Sequence, residues 1–138
     1  MQLNPYLYFA GDCAEAFKFY EQALGGKIVG MMTHAETPMV DHVSADWRDK
    51  IIHARLVIGD GQAVLMGSDA PPEYYSKPQG SSVSITVNDP DEAERIFKAL
   101  SENGTVRMPI QETFWAHRFG MLTDRFGQSW MVNCEKAL

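Results

Sequence analysis

The same order of elements is written twice in this chain. Tyr20 and Leu24 fall on Ile96 and Leu100 at one constant offset, and Leu56, Gly61 and Gln62 fall on Leu122, Gly127 and Gln128 at another. Two halves that match over a helix and again over a hairpin argue for a duplicated unit more strongly than either match alone. The unit is clearest at residues 4–26. Asn4 to Phe9 alternates Asn, Tyr, Tyr with Pro, Leu, Phe, the period of a strand whose two faces differ. Gly11 and Asp12 interrupt it. From Cys13, apolar residues recur at Ala16, Phe17, Tyr20, Ala23 and Leu24, so one stripe of a helix must bury against a sheet. Asp12 is the expected N-cap and Gly25 the expected C-terminal stop. Pro5, Leu7 and Phe9 are expected to meet that stripe, leaving Asn4, Tyr6 and Tyr8 on the opposite face.

Beyond the first helix, Lys27 to Ala35 is strand-like, and Glu36 to Lys50 is an irregular stretch long enough to fold over something. Ile51 to Ile58 and Ala63 to Gly67 form a hairpin around GDGQ. Prolines 71, 72 and 78 mark a linker over residues 69–80, which separates module one, about 1–68, from module two, about 81–138. The second module runs as a strand over Ser82 to Val87, a helix over Asp91 to Glu102 with its stripe at Ala93, Ile96, Phe97 and Leu100, and strands near Thr105 to Phe114, His117 to Thr123 and Ser129 to Cys134. Each half is a βαβββ module. Two such sheets, each with a helix on its back, are expected to join their bare faces into one curved mixed sheet around a cavity, an α+β fold filling 1–138 as a single domain.

With 138 residues the chain holds one core and is too short for two ordinary domains. A net charge of −6 without any cluster of Lys and Arg excludes an electrostatic footprint for nucleic acid or an anionic membrane. No apolar run reaches the length of a membrane span, and a cytoplasmic location is expected. Cys13 and Cys134 have no CxxC spacing, so they read as small buried side chains.

The doubled module, the FY of the first helix, and the segments KIIHARLVIG, VLMGSD, YYSKPQG, FWAHRFGMLTD and DRFGQSWMVN resemble the vicinal-oxygen-chelate superfamily of glyoxalase and bleomycin-resistance proteins, and within it the PhnB-like branch. The resemblance covers essentially the whole chain. Relatives of this branch have carried a demethylubiquinone methyltransferase label, but no glycine-rich strand-to-helix turn is present to cradle such a cofactor. The resemblance implies a homodimer, and in metal-dependent members it implies His or carboxylate ligands on the first and last strand of each half. The four corresponding places here are Asn4, Leu65, Ser82 and Met131, which offer neutral oxygens, nothing, and a thioether. No cofactor is expected, and a divalent metal is disfavoured.

His53 and Arg55 share a parity in a strand whose alternate residues, Ile52, Ala54, Leu56 and Ile58, are apolar. His53 is the candidate for proton transfer and Arg55 for anchoring an anion, unless Arg55 neutralises a buried carboxylate and His53 fills space. Tyr6 and Tyr8 are candidates to clamp an aromatic ligand, or simply to pack. His34, His42 and Trp47 are candidates for a lid over the cavity, with solvated loop residues as the alternative. Trp115 is expected at a cavity rim or subunit contact, and His117 departs from the branch, so no role carries over to it. Asp69 is expected to cap the Pro71, Pro72 turn, and Trp130 to lie in the core. Two functions stay open: metal-free binding of a small, partly apolar or aromatic molecule, or an isomerase or lyase using a cavity His, Tyr or metal.

Overall fold

A computed structural model of the protein describes residues 1–136. Strand β1 (Tyr6–Phe9) starts later than the alternation suggests, and Pro5 lies exposed outside it. Within the strand the parity holds: Leu7 and Phe9 are buried, and Tyr6 and Tyr8 are exposed. Helix α1 (Cys13–Leu24) buries the whole stripe of Ala16, Phe17, Tyr20, Ala23 and Leu24. Phe9, Phe17 and Tyr20 meet in tilted and edge-on contacts with centroids 5.9–6.4 Å apart. Each such ring contributes about 1.5–3 kcal/mol by leaving water. Gly25 stops the helix at φ 71°, a left-handed conformation that a side chain disfavours, and donates its N–H to the Glu21 carbonyl.

Asp12 occupies the N-cap position without a side-chain capping bond. A residue from the far end of the module does that job. Asp69 accepts hydrogen bonds from the Gly11 and Cys13 N–H groups through one oxygen, at 3.0 and 2.9 Å, and from the Ile51 N–H through the other, at 2.8 Å. The expectation that Asp69 caps the Pro71, Pro72 turn is thereby corrected. Its carboxylate lies buried at a helix N-terminus, where the orphan donors and the helix dipole favour negative charge.

The first sheet has the order β1-β4-β3-β2, in which β2 (Lys27–Thr33) and β4 (Ala63–Asp69) each run antiparallel to β3 (Ile51–Ile58) and β1 runs parallel to β4. Strand β4 runs through Asp69, one residue into the expected linker. The stretch after β2 forms three short 3₁₀ turns, His34–Glu36, Pro38–His42 and Ala45–Trp47. It is strapped back by hydrogen bonds from the His34 N–H to the Lys50 carbonyl and from the Lys50 ammonium to the Gly11 carbonyl.

The second sheet repeats the pattern as β5-β8-β7-β6, from β5 (Val83–Thr86), β6 (Thr105–Gln111), β7 (Ala116–Thr123) and β8 (Ser129–Glu135), with α2 (Pro90–Ser101) after β5. Helix α2 starts on Asp89, whose side chain accepts from the Asp91 N–H, and buries Ala93, Ile96, Phe97 and Leu100. Trp130 is core, and its indole N–H donates to Asp124 at 2.8 Å. The chain is α+β and divides into two compact units, Met1–Ser76 and Lys77–Leu138, parted inside the expected linker.

The hairpins of the two units differ by one residue. Val57 pairs with Val64, but Thr123 pairs with Ser129, so the first turn carries one residue more between equivalent partners. The counterpart of Met131 is therefore Met66, not Leu65. Leu65 pairs with fully buried Leu56 on the helix side, whereas Met66 pairs with Tyr6 and Arg55 on the bare side.

Candidate functional site

The face of the first sheet turned away from α1 holds four of the residues singled out from the sequence. Ala54 and Leu56 point to the core and are fully buried, so His53 and Arg55 between and beside them point to the bare face. Tyr6 and Tyr8 join them from β1. The Tyr6 hydroxyl lies 3.2 Å from His53 Nδ1, the Tyr6 and His53 rings are 5.8 Å apart, and the two tyrosine rings 5.3 Å apart. Arg55 stands in register between Gly30 on β2 and Met66 on β4. Among the described residues no carboxylate pairs with it, which removes the reading that Arg55 neutralises a buried acid. A Cβ placed on Gly30, the register partner of Arg55 on β2, would meet nothing within 4 Å.

Sequence reasoning missed Met66, Ser68 and Met32 as members of this face. The signal was present in the parity of β3: register with Arg55 and His53 places Met66 and Met32 beside them, and Tyr8 pairs with Ser68.

Trp47 is placed elsewhere in the unit, in the third 3₁₀ turn, where it lines a separate pocket together with His34 and His42. His34 is buried rather than solvated, and His42 is exposed. Trp115 belongs to the second unit, just ahead of β7, where it packs edge-on against Phe119 at 5.4 Å and Phe114 at 4.7 Å. On that unit's bare face, Ser84 and Met131 lie side by side, followed by Thr86 and Asn133. Burial raises the Cys13 thiol far above its ordinary range, and Asp69 and Asp12 push in the same direction. A thiol held neutral in this way is a packing group, not a nucleophile.

The model of the glyoxalase/bleomycin resistance protein/dioxygenase superfamily matches residues 2–132. The chain belongs to this superfamily. Protein YjdN of Escherichia coli (strain K12) is 37% identical over 144 residues, spanning 99% of this chain and 97% of its own. The crystal structure of protein PA1353 from Pseudomonas aeruginosa superposes with a TM-score of 0.88 at 51% identity, covering 99% of both chains. A PhnB protein from Bacillus cereus superposes with a TM-score of 0.79 at 22% identity over 97% of this chain and 99% of its own, a likeness of fold alone.

The superfamily's metal chemistry needs three or four hard or borderline donors converging on one ion. Among the described residues, no group of three or more His, Cys, Asp or Glu is arranged to hold a metal. Of the four positions expected from the resemblance, Asn4 and Ser82 lie ahead of β1 and β5 and Leu65 faces the helix; Tyr6 and Ser84 stand in register with Met66 and Met131, and none of these residues is a carboxylate or imidazole. This donor set does not fit a divalent ion.

Proposed function

We propose that this superfamily member is a cytoplasmic, homodimeric small-molecule binding protein whose ligand has an apolar or aromatic body and one anionic group, held on the bare face of the first sheet without a metal. The observation that carries the reading is Arg55. A guanidinium without an ion-pair partner among the described residues, carried between Gly30 and Met66 in register and with Tyr6, Tyr8 and His53 on the same face, supplies a fork for a carboxylate or phosphate next to aromatic surface. Small polar anchors within an apolar wall are the usual composition of ligand sites. Dimers and small-molecule binding are common in the superfamily. Titration with benzoate, followed by calorimetry and by the Arg55 guanidinium resonance, tests it. Saturable binding that Arg55→Ala weakens about tenfold or more supports it. Benzoate affinity unchanged in a folded Arg55→Ala protein overturns it.

A second reading rests on the 3.2 Å contact between the Tyr6 hydroxyl and His53 Nδ1. A phenol and an imidazole at hydrogen-bond distance can pass a proton, which an isomerase or lyase requires. Exchange of an acidic C–H of a bound ligand with deuterated solvent, lost in both His53→Gln and Tyr6→Phe, is the expected signature. Exchange at the rate of free solution in the wild-type protein excludes it.

A further inference from the structure

Two cross-strand rows lie on the bare face of the first sheet. One runs Tyr6, Met66, Arg55 and Gly30, each in register with the next. In the neighbouring row His53 stands with Met32 on β2, and Tyr8 with Ser68 on β4. No Asp or Glu stands in either row, so the polar character of the face comes from Arg55, His53 and the hydroxyls of Tyr6, Tyr8 and Ser68. Tyr6 and His53 are not on adjacent strands. Strand β4 lies between theirs, which sets the two backbones roughly 9–10 Å apart. The Tyr6 hydroxyl nevertheless comes within 3.2 Å of His53 Nδ1, so the two side chains lean toward each other across β4.

This contact assigns the proton of the imidazole. A phenol is the better donor and a bare imidazole nitrogen the better acceptor, so the Tyr6 O–H donates to Nδ1 and the proton of the neutral ring sits on Nε2. Nε2 is the ring nitrogen farther from the backbone. It has no hydrogen-bond partner among the described residues and is not one of their buried polar atoms, so it reaches solvent as a free donor. The Arg55 guanidinium is in the same condition, without an ion-pair partner among the described residues and not buried. One strand therefore offers two free donors on one face, the first charged and the second neutral.

We propose that His53 reads a second, uncharged acceptor on the ligand that Arg55 holds, so that the ligand class is an acid whose apolar or aromatic body also carries a carbonyl oxygen. The inference rests on the anion reading of the Arg55 face. A guanidinium fork suits a carboxylate, whereas a single neutral N–H suits the oxygen of a ketone, ester or amide. Residues two apart on a strand stand roughly 6–7 Å from each other, so both donors serve one small molecule lying along β3. An ammonium in the second place would meet a donor and no acceptor. Tyr6 is then a positioning residue, since its hydroxyl serves the imidazole and keeps the free proton on the outer nitrogen.

The test compares meta- and para-acetylbenzoate with their isopropyl counterparts, which keep the shape and lose the carbonyl, and with benzoate itself. Calorimetry is run on the intact protein at pH 8, where an ordinary imidazole is neutral. In at least one isomer pair the acetyl compound is expected to bind about threefold or more tighter than the isopropyl one. His53→Phe and His53→Leu should each erase that ratio and leave benzoate affinity unchanged, and using both keeps the test open should one fail to fold. Ring ¹⁵N spectra at the same pH are expected to show His53 protonated on Nε2, and Tyr6→Phe to shift its Nδ1 resonance, which a loss of packing alone does not do. A proton resident on Nδ1, a ratio near one in both pairs, or a ratio that survives in a folded His53 variant overturns the proposal. Where benzoate binds saturably and the ratio fails, this inference alone falls; where benzoate does not bind, the anion reading of the Arg55 face falls with it.

Discussion

Asp69 and Arg55 lie in the same sheet and do opposite things with their charge. Asp69 is buried, and its two oxygens satisfy three backbone N–H groups from the β1–α1 turn, the helix start and the start of β3. Removing the acceptor strands those donors, two of them in buried bonds, at about 1–3 kcal/mol each. Asp69→Ala should therefore lower stability by about 3 kcal/mol or more, read as a fall in the urea midpoint. Arg55, without an ion-pair partner among the described residues, should be replaceable by Ala at less than about 1 kcal/mol. The same urea titration checks it, and a large loss would make Arg55 structural after all. Cys13 makes a third case. Its folded thiol ionises only at much higher pH than an unfolded one, so below the ordinary thiol range it costs nothing, and as pH rises past that range the unfolded state gains by ionising. Stability should fall with rising alkalinity there, and iodoacetamide at pH 8 should label Cys13 only after denaturant unfolds the chain.

At the scale of elements, a phenyl ring from the helix rests directly on a strand glycine in each unit. A Cβ at Gly67 would lie 2.7 Å from the Leu7 carbonyl oxygen and 2.8 Å from Phe17, and one at Gly120 would lie 2.6 Å from Phe97 and 2.9 Å from the Ile110 Cα. Gly67→Ala and Gly120→Ala should each cost about 1–3 kcal/mol through displaced helix packing. Gly30→Ala, which meets nothing within 4 Å, should leave the thermal midpoint nearly unchanged and so serves as the internal control. The strand alternation and helix stripes that produce this packing are local patterns, and they were legible: Leu7 and Phe9 against Tyr6 and Tyr8, the stripe from Ala16 to Leu24, and the stop at Gly25. The pairing of equivalent residues was less so. Matching Gly61 to Gly127 carries the eye to Leu65, because turn length is decided by which residues pair across the hairpin and a single inserted residue reverses the face of every residue after it.

For the whole molecule, the proposed homodimer predicts a light-scattering mass of twice the 15.5 kDa chain at micromolar concentration, and a monomer mass would end that reading. The unsuited donor set predicts a metal content well below one per chain in protein purified without a polyhistidine tag, and a melting temperature unmoved by chelator. By itself, the sequence determined the elements, their duplication and the membership of the superfamily, since these rest on residues a few positions apart and on periodicity. It also placed Tyr6, Tyr8, His53 and Arg55 on one face, because strand parity is a local rule. What only the tertiary structure decided lies between distant segments. Asp69 reaches donors 56 and 58 residues before it, and His34 and Trp47 share a pocket with Pro71 to Tyr74, across stretches with no repeating pattern. Irregular backbone carries no period, so which of its side chains meet is settled by the hydrogen bonds and burial of the folded chain alone.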